Sequence, residues 1–128
     1  MDAQTTPLKE ALLRHRDETV YPLRKAISRS RLKYQFLDTV DSPRVSTQTL
    51  VIRDADPTVS SNLTHQIRNV LGLRGFLPSA AKSSLEQTWA RFVEEPGFGI
   101  RITVSLHRSY TDDMALVLNQ VVIQTTTA

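Results

Sequence analysis

The sequence predicts an α+β fold, an antiparallel β-sheet with amphipathic helices packed on one face. Three observations carry this. Residues 31–39 and 99–108 alternate apolar and polar side chains with period two, the pattern of strands with one wet side. Residues 57–71 repeat apolar side chains at helical spacing. The resulting order (helix, two strands, two helices, two strands) suits an antiparallel sheet covered on one side.

The 128 residues read as a single domain, 1–128, large enough for a real core. Hydrophobic content of 40% and charged content of 23% are those of a folded chain. The net charge of +3 permits an anionic partner without demanding one. Cysteine is absent, which excludes disulfides, thiolate metal sites and thiol nucleophiles. No apolar run reaches membrane-spanning length, and the start "MDAQTTPLKE" lacks a signal-peptide pattern. The expectation is a soluble, unexported chain with no membrane partner.

Taken in order, a first helix over about 7–20 starts at Thr6-Pro7, with Leu8, Leu12 and His15 on one side and Pro22 as its stop. A strand over 31–39 sets Leu32, Tyr34 and Phe36 against Arg31, Lys33 and Gln35. A second strand, "VSTQTLVIR", covers 45–53 and pairs with it across a short loop. Asp56 and Pro57 then open a helix over 57–71, carrying Val59, Leu63, Ile67 and Val70, with Gly72 and Gly75 at its exit. Ala81, Leu85, Trp89, Phe92 and Val93 read as the stripe of a further helix over 79–94, ended by Glu95-Pro96-Gly97. Leu85, Trp89 and Phe92 are the expected core and dimer contacts, since aromatic side chains concentrate burial energy.

The cleanest strand is "GIRITVSLHR", 99–108. Ile100, Ile102, Val104 and Leu106 point one way; Arg101, Thr103, Ser105 and His107 point the other. After a turn at "SYTDD", residues 114–125 read as a buried strand, with a helix from Thr111-Asp112 as the competitor.

Catalytic patterns are missing. His15, His65 and His107 lie at no metal-ligand spacing and read as surface or edge residues. Asp112-Asp113 reads as a turn or capping pair. "GLRG" and "GFG" match no phosphate loop, and no serine occupies a Gly-x-Ser-x-Gly elbow. The expectation is therefore no enzyme, no cofactor, no metal and no small-molecule substrate.

The strongest positive feature is the acid-free basic run Arg24, Lys25, Arg29, Arg31 and Lys33. It reads either as a nucleic-acid surface or as a solvated strand edge whose cations discourage sheet-to-sheet pairing. Both readings stand at this point.

"SRSRLKYQFLDTVD", "STQTLVIR" and "DADPTVSSNLTHQIRNVLG" in succession resemble coat proteins of small single-stranded RNA bacteriophages. In that family a basic turn leads into a Tyr-containing strand, then a strand, a capped helix and a second helix, the place of "LPSAAKSSLEQTW" here. The chain departs from the family by opening with a helix rather than a hairpin and by continuing some thirty residues past the helices. The resemblance implies an intertwined dimer building a shell, with RNA on the inner sheet face. It implies RNA contacts at Arg29, Arg31, Lys33 and Arg53, with Gln48 or Thr47 between them; Lys25 of the basic run and Arg101 of the wet face of 99–108 complete the expected RNA contacts. The expected function is a self-assembling RNA-binding coat subunit, assembled in a host cytoplasm and found in the virion. A small dimeric nucleic-acid-binding protein and a phage tail or baseplate component are the alternatives.

Overall fold

A computed structural model of the chain describes residues 5–38, 42–53, 56–79 and 83–128. The elements are α1 (Thr5–Arg29), β1 (Lys33–Asp38), β2 (Val45–Arg53), α2 (Pro57–Leu73), β3 (Leu77–Pro78), β4 (Glu86–Glu95), β5 (Phe98–Tyr110) and β6 (Leu116–Thr127). The six strands form one sheet in the order β1-β2-β6-β5-β4-β3, with every neighbouring pair antiparallel. Both helices touch each other and pack on the same face, so the fold is the α+β class expected.

The core lies between those helices and one side of the sheet. Leu50 and Ile52 of β2, Ile100 to Leu106 at every second residue of β5, and Val121 and Ile123 of β6 supply the sheet side. Ala11, Leu12, Val20, Leu23, Ala26 and Ile27 of α1 and Leu63, Ile67 and Leu71 of α2 supply the other. Thr125, fully buried in β6, donates its hydroxyl to the Leu12 carbonyl at 2.9 Å, so helix and sheet are joined by a bond as well as by packing.

α1 is much longer than expected. It runs through Pro22 to Arg29 instead of ending near residue 20. Proline removes one helical N–H and crowds the turn before it, at a cost of about 3 kcal/mol. Burial of Val20, Leu23, Ala26 and Ile27 on both sides of Pro22 offsets that cost. The helix ends where Arg31 takes φ +58°, the left-handed region. Arg31 is thus a turn residue, not a strand residue, and β1 starts at Lys33. Thr39, the expected end of that strand, lies outside the described residues.

α2 starts as expected. The Asp56 carboxylate accepts from the Val59 N–H at 2.8 Å, Pro57 occupies the first turn, and the helix runs two residues beyond the expected 71. Gly75, at φ +83°, lies beyond its exit, and the Phe76 N–H returns to the Leu71 carbonyl at 3.0 Å.

The expected third helix over 79–94 does not form. Ala81 lies outside the described residues, and Glu86–Glu95 is strand β4. Glu95 pairs with Phe98, leaving Pro96-Gly97 as a two-residue turn with Gly97 at φ +90°. Proline at the first central position and a residue able to take positive φ at the second are the preferences of a type II turn, and that turn clamps β4 to β5. The segment 114–125 resolves as strand: β6 runs 116–127 between β2 and β5. The register of β5 and β6 shifts between His107 and Arg108. Beside the shift, the Leu118 N–H donates to Ser60 Oγ of α2 at 2.5 Å. Asp112 and Asp113 form the turn before β6.

His15 is not a surface histidine. Its ring is largely buried, and Nε2 meets Glu95 Oε1 at 2.7 Å. A carboxylate only accepts, so Nε2 carries the proton. Arg14 also donates to Glu95, joining α1 to the β4 end of the hairpin. Among the described residues, no helix is long and apolar enough to cross a membrane.

Candidate nucleic-acid interface

Among the described residues, no helix covers the side of the sheet turned away from α1 and α2, the bare face. Its residues follow from the register. Lys33 of β1 faces Arg53 of β2. The next rows are Gln35, Val51, Gln120 and His107, then Leu37, Thr49, Val122 and Ser105. Thr47, Gln124 and Thr103 form another row. At the far end Thr126 and Arg101 meet Phe92 of β4.

Short hydroxyl and amide side chains hold one another across these strands. Gln124 Nε2 donates to Thr47 Oγ1 at 3.2 Å, Thr88 and Ser105 hydroxyls meet at 3.0 Å, and Arg53 donates to Gln35 Oε1 at 3.3 Å. Cations stand at opposite corners of this field. Lys33 and Arg53 mark one corner, and Arg101 marks the other, its guanidinium 5.6 Å from the Phe92 ring centroid. From strand rise and strand spacing the diagonal between them is about 30 Å. Among the described strand residues, Glu86 and Glu94 of β4 are the carboxylates on this side, by the same register.

The structure brings together some of the expected contacts and separates the rest. Lys33, Arg53 and Arg101 share the bare face and are exposed. Gln48 does not join them: it alternates with Thr47 and pairs with Ile123, on the helix side with Leu50 and Ser46. Period two decides this, and Thr47 takes the place expected of Thr47 or Gln48. Lys25 and Arg29 sit on α1, in the helix layer, and Arg31 sits in the turn between layers.

The expected stripe Leu85, Trp89 and Phe92 also divides. Trp89 is 7% exposed and packs on the helix side, opposite Val104. Phe92 is 67% exposed on the bare face, and Leu85 precedes β4, partly exposed. A helical period over 79–94 hides the pairing of Phe92 with Arg101. Read with period two, "EQTWARF" separates Trp89 from Phe92 by three residues and so places them on opposite faces.

Chemically, the arrangement offers fixed hydroxyl and amide donors and acceptors between two cationic corners. Among the described residues no group of three or more His, Asp or Glu side chains converges as a metal site. Comparison with family models, with curated proteins and with solved structures finds no match to this chain.

Proposed function

We propose that the chain is a self-assembling structural protein that binds RNA on the bare face of its sheet, as a viral coat subunit. One observation supports this most. A six-stranded sheet leaves one face without a helical cover among the described residues, and that face carries Lys33, Arg53 and Arg101 around threonine, serine and glutamine side chains, with Leu37, Val51, Val122 and Phe92 among them. The polar majority of this uncovered face suits water or a polar partner. Phosphate oxygens accept from the corner cations, while the hydroxyls and amides between them suit sugars and base edges.

Assembly rests on the sheet edges. Among the described residues, β1 has no strand beyond it, and β3 covers β4 only at Trp89 and Ala90. Unpaired backbone donors and acceptors along Arg91–Glu95 and along β1 suit strand pairing with another copy. The virion, assembled in a host cytoplasm, is the location this reading carries with it.

Two measurements test it. Light scattering on the purified chain should report a particle of many subunits; a mass of one or two 14.4 kDa chains would favour the small dimeric nucleic-acid-binding protein instead. Replacing Lys33, Arg53 and Arg101 together with glutamine should weaken RNA binding. The slope of log affinity against log salt should become shallower by roughly 0.7–0.9 per lost phosphate contact. An unchanged slope would mean that the bare face is only a solvated surface.

A further inference from the structure

The cations at the end of α1 turn away from the bare face and gather around a hollow on the helix side of β1. Tyr21, Arg24, Lys25, Ser28, Arg29 and Tyr34 line it, enclosing about 360 Å³. Its helical members recur at three- and four-residue steps, so they form one stripe of α1 beside the buried one. Among the described residues, no carboxylate comes within ion-pair distance of Arg24, Lys25 or Arg29. Lys25 and Arg29 lie at i,i+4, where like charges repel.

Helix capping accounts for only part of this. A cation in the last turn favours the helix C-terminus, and Arg29 is the cation there. Arg24 and Lys25 stand a turn earlier and rest on aromatic rings instead. The Arg24 guanidinium lies 4.4 Å from the Phe36 centroid and the Lys25 amine 4.6 Å from the Tyr21 centroid. Hydrogen bonding from Arg24, then from Ser28, holds the Tyr34 phenol below its ordinary range against the opposing effect of burial. Tyr21 keeps 60% of its surface in water, an exposed ring that core packing does not explain.

Guanidinium groups bind phosphate bidentately, and an exposed tyrosine ring beside them offers a stacking face for an unpaired base. We propose that this hollow takes one nucleotide of single-stranded RNA, its phosphate against Arg24, Lys25 and Arg29 and its base on Tyr21. The strand then leaves the bare face at Lys33, the first residue of β1, and passes the Arg31 turn around the end of that strand to reach the helix side, which leaves the β1 edge free for pairing. The proposal rests on RNA as the ligand of the chain and adds a point of contact on the side of the sheet opposite the bare face.

The test uses the full chain and fluorescein-labelled decauridylate, read by anisotropy over a range of salt. Tyr21→Ala should weaken binding about tenfold with no change in salt slope, because it removes stacking and no charge. Lys25→Gln with Arg29→Gln should make the slope shallower by about 0.7 for each cation removed. These side chains are exposed, so circular dichroism melting curves should coincide with the parent's. If both hollow variants bind like the parent while the Lys33, Arg53 and Arg101 triple variant weakens, the hollow proposal fails and the bare-face reading stands. If only the hollow variants weaken, the hollow is the RNA site and the bare-face reading fails. A parent that does not bind decauridylate overturns the hollow proposal. Binding to phosphatidylserine vesicles that the double variant loses, with decauridylate binding unaffected, identifies the hollow as a lipid-headgroup site and also overturns it.

Discussion

On the helix side of β5, Ile100, Ile102, Val104 and Leu106 have lost essentially all contact with water; one residue away, Arg101 is exposed and Thr103, Ser105 and His107 are half-exposed. The two sets share one backbone and one set of ladder bonds. Only the layer above them differs. The helix side is specified by volume and apolarity, so a substitution there acts on folding. The bare side is specified by charge and hydrogen bonding, so a substitution there acts on whatever the face meets.

The largest effect that can sharpen this contrast is Ile102→Asp. It buries an unpaired charge against α1 and the sheet and should destabilise by more than about 4 kcal/mol, enough to abolish a cooperative thermal transition. Thr103→Asp, its neighbour on the bare side, should cost less than about 1 kcal/mol. Equal melting temperatures for the two variants would break the two-face description. Trp89→Ala should follow, at about 3–5 kcal/mol by urea titration, while Phe92→Ala should cost under about 1 kcal/mol because its ring is already largely in water. A large loss for Phe92→Ala would mean that a second copy covers the bare face at that corner.

Smaller again is Thr125→Val, which keeps the shape and removes the hydroxyl bonded to the Leu12 carbonyl. A loss of about 1 kcal/mol is expected, and a neutral result would assign the seating of α1 to packing alone.

The gentlest test is of pH, at the far end of the hairpin. Hydrogen bonding from His15 holds the Glu95 carboxyl below its ordinary value of 4.5, with the Arg14 and His15 charges acting the same way and burial opposing. A carboxyl depressed on folding stabilises the fold above its unfolded value. That contribution is complete above pH 4.5 and is lost as pH falls through the lower folded value. Glu95→Gln should therefore lower the melting temperature at pH 6, by a deficit that shrinks as pH falls below 4.5. A deficit that persists undiminished at pH 2 would show that Glu95 acts through shape rather than charge.

The alternation of 99–108 and 45–53 and the Asp56-Pro57 helix start were legible because each rests on neighbours within a few residues. The basic run was legible as composition, and so were the polar members of the bare face. Two errors have physical causes of the same kind. Leu85, Trp89 and Val93 are four apart, and four is close to a helical turn but also an even number, so helix and strand both align them. Phe92 and the Pro96-Gly97 turn alone distinguish the two, and pairing of Glu86–Glu95 with β5 decides. Pro22 disfavours a helix locally, yet Val20, Leu23, Ala26 and Ile27 continue the stripe of Leu8 and Leu12 through it, and burial outweighs the local cost.

The sequence by itself determined which residues alternate, where α2 begins and that cations cluster between 24 and 33, since local spacing and composition contain that information. Only the tertiary structure decided that β6 lies between β2 and β5, that 86–95 is a strand, and that the basic cluster is shared between two sides of the sheet. The last follows from one turn. α1 ends at Arg29, Arg31 takes a left-handed conformation, and the chain reverses into β1, so Lys25 and Arg29 remain above the sheet while Lys33 points below it. Strand order and chain reversal depend on contacts between segments far apart in sequence, and no periodicity within either segment records which partner it will meet.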